Sequence, residues 1–161
     1  MEDHGSAALR RLISLPGAVQ ETHARLGDAT AVVERGRILD VLRLLRDDPE
    51  LSFEMLTDLT CVDYLGEEPR FEVVYHLYSV AKNHRVRLKA RVSEASPELP
   101  SAVPLWASAD WMEREVWDLY GVRFRGHPDL RRILLYDGFE GHPLRKDYPK
   151  EKRQPLVGPR N

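Results

Sequence analysis

The sequence predicts an α+β fold: a small mixed or antiparallel sheet with flanking helices and an extended C-terminal arm. Three observations predict it. Residues 71–80 and 85–92 alternate apolar with polar side chains, the period of a strand with one buried face. Residues 37–47 place Ile38, Val41, Leu42 and Leu45 at i, i+3, i+4 and i+7, the stripe of an amphipathic helix. Residues 122–161 follow neither period and mix proline, glycine and charge. The organisation expected is an N-terminal helical segment (1–28), an α+β core (29–121) and an extended basic arm (122–161).

Along the chain, Ser6 can cap a short helix through Leu9, Leu12 and Ile13, which Pro16 and Gly17 end. Residues 18–26 read as weakly helical. Thr30 to Glu34 is a β-branched strand, and Asp48-Pro49 closes the 37–47 helix. Met55 to Val62 is a second strand ending near Asp63. Within the two alternating runs, Phe71, Val73, Tyr75 and Leu77 share a face, as do Val86, Leu88, Ala90 and Val92. Pairing Val80 with Arg85 across a loop of 81–84 puts both sets on one side of a hairpin. Residues 94–109 form a connection. Asp110 can cap the next helix, with Glu113 at N3 as in a capping box; Met112, Val116, Leu119 and Tyr120 make its stripe and Gly121 suits its end.

Charge is unevenly divided. The 161 residues carry a net charge of −2. Residues 122–161 hold ten Lys and Arg against five Asp and Glu, whereas residues 1–121 hold 14 against 21. The whole chain is no nucleic-acid magnet. The basic row Arg85, Arg87, Lys89 and Arg91 could read phosphates. It reads better as a solvated strand face partnered by Glu72, His76 and Tyr78, because no stacking aromatics interleave with the charges. The single cysteine, Cys61, excludes a disulfide framework, suits a reducing compartment and reads as a buried thiol. The first 20 residues lack a long apolar run, so neither a signal peptide nor a membrane span is expected there.

The chemistry-bearing residues give no convincing active site. Glu113 and Glu115 lie about 200° apart on a helix and cannot act as an acid–base pair. Arg114 and Asp118 can pair at i, i+4, and Glu115 and Asp118 share an acidic patch, so the helix reads as a charged face for a partner or solvent. His127 and His142, with Asp137 or Asp147, do not make a chelating frame at their 15-residue spacing. No Gly-rich phosphate loop and no Cys-x-x-Cys pair is readable. Between Gly126 and Pro149, Leu130, Ile133, Leu134, Leu135, Tyr136, Phe139, Leu144 and Tyr148 are spaced like anchors among prolines and guanidinium groups. That pattern suits an arm laid on an acidic partner surface.

"EREVWDLY" (113–120), His127, "GHPDLRRIL" (126–134), "PLRKDYP" (143–149), "RFEVVYHLYS" (70–79) and "LTCVDY" (59–64) resemble the thirty-kilodalton subunit family of NADH-quinone oxidoreductase, the respiratory complex I. The resemblance covers about residues 30–155; Phe139 departs from the Trp that many members carry. It implies a chain without flavin, iron–sulfur cluster or quinone site, with FMN and the clusters in other subunits. It implies a peripheral protein on the cytoplasmic side of the inner membrane, held there through its complex. Its arm is expected to wrap the forty-nine-kilodalton subunit of a complex that passes electrons from NADH to quinone and translocates protons. The signature and partner-contact residues it implies are Glu113, Arg114, Glu115, Asp118, His127, Pro128, Arg131, Arg132, His142, Pro143, Arg145, Lys146 and Asp147. Related subunits occur in membrane-bound hydrogenases and other quinone-reducing complexes, so that alternative stays open.

Overall fold

The structure, a computed structural model, describes residues 6–155. A five-stranded mixed sheet forms the centre: β1 (Val19–His23), β2 (Thr30–Val33), β3 (Met55–Asp63), β4 (Phe71–Ser79) and β5 (His84–Val92), in spatial order β1-β2-β5-β4-β3. All pairings are antiparallel except β2 with β5, which is parallel. A second, two-stranded parallel sheet joins β6 (Glu98–Pro100) to β7 (Arg123–Arg125). Three helices accompany them: α1 (Ala7–Ile13), α2 (Ile38–Asp47) and α3 (Ala109–Tyr120).

The periodic residues land where their spacing requires. Leu9 and Leu12 of α1 and Ile38, Val41, Leu42 and Leu45 of α2 enter the same buried cluster as the inner faces of β4 and β5. Each such side chain contributes roughly 1.5–3 kcal/mol of apolar burial. The outer face keeps its charges paired: Lys89 and Arg91 both meet Glu72, at 2.8 and 3.2 Å, and Arg85 lies over the Tyr78 ring. That is the solvated-face reading of the basic row.

Four local expectations are corrected. Residues 19–23 are an edge strand, not helix, because pairing to β2 outweighs the propensity of a short helix-forming run. The β4–β5 register is Ser79 opposite His84, with a loop of 80–83 in which Asn83 takes φ 49°. The expected Val80–Arg85 register differs by two residues, which leaves every side chain on the same face. The 94–109 connection contains β6. Ser108, not Asp110, stands at the N-cap of α3, and its hydroxyl donates to the Leu56 carbonyl instead of capping.

The boundary drawn at 121/122 falls inside packed structure. Val122 and Phe124 are buried in the core, and β7 hydrogen-bonds the body through β6. Beyond β7 the segment has turns but neither helix nor strand up to residue 155, and it folds back over α3 and the end of β3.

Candidate functional site

The functional side chains gather where α3, the β3–β4 end of the sheet and the C-terminal segment meet. Two buried carboxylates organise this region.

Asp118 lies on α3, fully buried. Its Oδ2 accepts the backbone N–H groups of Ile133, Leu134 and Leu135 at 3.1, 2.9 and 2.9 Å, and its Oδ1 accepts from Arg132 Nη1 at 2.6 Å. Burial alone would raise its pKa. The Leu135 N–H, the Arg132 guanidinium and the other two N–H groups outweigh burial and hold it below the ordinary carboxylate value. Arg132 spends its remaining donors on the carbonyls of Phe139 and Gly141 and faces the rings of Trp117 and Phe139. A carboxylate with three N–H groups and one guanidinium replaces regular secondary structure in fixing this irregular stretch.

Asp63 ends β3 and is the second anchor. Arg70, 3% exposed, donates in bidentate fashion to Asp63 at 2.8 and 2.9 Å. The same guanidinium reaches Asp147 at 2.8 and 3.0 Å and Glu94 at 2.7 Å. Asp63 also accepts the backbone N–H of Lys146 at 2.8 Å. Arg70 holds both Asp63 and Asp147 below the usual carboxylate range. Arg70 and Arg145 both lie over Phe71, 5.0 and 4.9 Å from its centroid. One arginine thus ties the end of the β3–β4 hairpin and the loop after β5 to the arm.

Between the anchors, the end of α3 is stitched to the arm. Arg145 Nε donates to the Tyr120 carbonyl at 2.6 Å, His142 Nδ1 donates to the Asp118 carbonyl at 2.9 Å, and the Leu144 N–H donates to the Leu119 carbonyl. Gly121 closes α3 with φ 79°, and a Cβ there would stand 2.6 Å from His142 Nε2 and Arg145 Nη2. Glycine serves both the left-handed turn and the close approach.

The expected site residues therefore separate. Asp118, Arg132, His142, Arg145 and Asp147 come together as internal fastenings. The His127 ring is buried against the Asp110 carbonyl, with its Nδ1 accepting the Asp129 N–H. Pro128, Lys146, Arg131 and Glu115 are exposed, and Pro143 is half-buried.

Two expectations about the helix are corrected. Arg114 does not pair with Asp118; it donates to the carbonyls of Arg131 and Arg132. Nor do Glu115 and Asp118 share a patch, because Asp118 is inside. Glu113 is also fully buried. It accepts from the Ser101 hydroxyl at 2.7 Å and the Ala102 N–H at 2.6 Å, both of them neutral donors. Burial pushes its pKa up to about 7, against those two hydrogen bonds.

Sequence reasoning misses Arg70, Asp63 and Glu94. The one signal is an arginine directly before a strongly apolar strand, where its aliphatic stem packs. Cys61 is buried as expected, its thiol pushed up to about 12 by burial. Among the described residues, no three His, Cys, Asp or Glu side chains gather to hold a metal ion, and no helix is long and apolar enough to cross a membrane.

Fold and site together define a class: a small α+β protein whose buried charges fasten its own C-terminal segment. Residues 31–154 match the family described as respiratory-chain NADH dehydrogenase, 30 Kd subunit. The chain is 45% identical over 160 residues to the corresponding NADH-quinone oxidoreductase subunit of Citrifermentans bemidjiense, covering 98% of each. It is 50% identical over 147 residues to the same subunit of Roseiflexus castenholzii, covering 91% of this chain and 84% of that one. Among solved structures, the trypsin-resistant fragment of Nqo5 matches with a TM-score of 0.59 at 36% identity, covering 66% of this chain and 85% of that one. A chain of the membrane-bound sulfane sulfur reductase, an archaeal respiratory membrane complex, matches with a TM-score of 0.72 at 26% identity, covering 88% and 83%. The chain belongs to the family of the 30 kDa subunit of respiratory-chain NADH dehydrogenase.

Proposed function

We propose that this chain is a peripheral-arm subunit of an NADH-quinone oxidoreductase, carries no cofactor itself, and scaffolds the complex by binding its forty-nine-kilodalton subunit. The observation that carries the reading is identity of 45–50% along nearly the whole chain to proteins named as one particular subunit of that enzyme. In this reading FMN and the iron–sulfur clusters belong to other subunits. The chain stands on the cytoplasmic side of the membrane and reaches it only through its neighbours. Its role is mechanical: Asp118 and Arg70 hold the arm in one shape, so that the forty-nine-kilodalton subunit meets a preformed surface and less ordering entropy is lost on binding.

Deletion of this chain in cells tests the proposal. Its removal should abolish NADH-driven quinone reduction by membranes, and the untagged chain should co-purify with the forty-nine-kilodalton subunit. Membranes that reduce quinone from NADH at full rate without it would overturn the proposal.

A second reading has an observation of its own. The likeness to a chain of the sulfane sulfur reductase favours a sister respiratory complex with another redox partner. The electron donor oxidised by the purified complex separates the two: NADH for the first, a different donor for the second.

A further inference from the structure

Inward fastening leaves a specific set of groups facing outward. Trp111, in the first turn of α3, is 63% exposed, and Leu134 is 60% exposed. Neither is loosely held. The Arg114 guanidinium lies 5.5 Å from the Trp111 ring centroid and is fixed from behind by the carbonyls of Arg131 and Arg132. The Leu134 backbone is fixed by its N–H on Asp118, one turn beyond Arg114. From Trp111 to Asp118 is seven residues of helix, about 10 Å. The result is a short strip of indole, guanidinium and isobutyl groups held outward by bonds made on its inner side.

Its charges are open to a partner. Arg114 meets carbonyl oxygens but no carboxylate among the described residues. Arg131 is 71% exposed and pairs with Asp129 in water, where such a pair is worth little. Glu115 is exposed on the same helix and flanks the strip. The segment that supplies Arg131 and Leu134 is basic as a whole, ten cations against five anions. Tryptophan and arginine in a fixed setting are the residues that dominate binding energy at protein interfaces.

We infer that Trp111, Arg114, Arg131 and Leu134 form the contact surface for a partner protein that offers an apolar recess flanked by carboxylates, whereas Arg132 acts only from behind, as a positioning residue. The inference rests on the proposed binding of the forty-nine-kilodalton subunit for the identity of that partner and goes beyond it in separating contact residues from fastenings.

The test uses the full chain and the purified forty-nine-kilodalton subunit. Trp111→Ala and Arg131→Glu should each weaken binding at least tenfold and leave the melting midpoint of the free chain unchanged; Trp111→Phe should keep most of the affinity. Arg132→Glu should lower the melting midpoint and weaken binding together. If Trp111→Ala and Arg131→Glu bind like the wild type while Arg132→Glu does not, the strip is not the contact surface and the choice of partner stands. If the wild-type chain does not bind the forty-nine-kilodalton subunit at all, the choice of partner falls and the strip's assignment falls with it.

Discussion

Asp118 and Arg132 are fourteen residues apart in sequence and 2.6 Å apart in space, carboxylate to guanidinium, in the interior of the protein. Between them they convert a segment rich in glycine, proline and charge into a fixed part of the fold. Asp118→Asn removes the charge that four donors are arranged to meet. Breaking one partner of a buried pair costs about 3–5 kcal/mol. Denaturant titration of the full-length variant should show a loss of that order with little change in slope.

Truncation after Arg125 removes all four donors to Asp118 and strips Arg70 of Asp147. The remaining domain keeps its sheet, α1 and α2 but leaves a carboxylate half-desolvated at the end of α3. Its melting midpoint should fall by several degrees and it should bind a hydrophobic dye that the full chain does not. An unchanged midpoint would mean that the arm contributes nothing to the fold.

Arg70 should resist conservative replacement. Lysine offers one ammonium where Asp63, Asp147 and Glu94 use the separate nitrogens of a planar fork. Arg70→Lys should be clearly destabilised, and Arg70→Ala by about 3–5 kcal/mol, since Asp63 would stay buried without its cation. Comparing unfolding free energies of the two variants checks this.

Glu113 gives the stability a pH signature. Its pKa is raised from 4.5 when unfolded to about 7 when folded. Between those values the native state holds the proton more tightly, so stability falls as pH rises from about 4.5 to 7. The contribution is on the order of 3 kcal/mol. Asp63, Asp118 and Asp147 are depressed, so their stabilisation is lost only at lower pH, as pH falls through their folded values. Glu113→Gln should flatten the decline between pH 4.5 and 7 and leave the acid limb in place; urea midpoints across that range read the slope directly.

The isolated chain should be colourless. Visible absorbance and elemental analysis of the purified protein should show neither flavin nor stoichiometric iron.

The core is legible in the sequence because its signal is local. Strand alternation at 71–77 and 86–92, and the i, i+3, i+4 stripe of α2, are set within a few residues. The hairpin register is not legible, because a shift of two preserves every inward and outward side chain; the deciding feature is Asn83 at positive φ. Asp110 and Glu113 have the spacing of a capping box, but Glu113 is taken by amide and hydroxyl donors from the 101–102 loop, a tertiary fact. The irregularity of the arm is legible in its prolines and glycines. Its docking is not, because Asp118 meets consecutive backbone N–H groups and Arg70 meets Asp147 across 77 residues, and neither relation has a period.

Hydrogen exchange at the Ile133, Leu134 and Leu135 amides tests most directly whether the arm is part of the fold. In the isolated full-length chain these three should exchange at least a hundredfold more slowly than an unstructured peptide of the same sequence. Asp118→Asn should release them while the amides of β4 and β5 stay protected. Exchange in the wild-type chain at the rate of an unstructured peptide would contradict this, because the arm would then acquire its shape only on a partner.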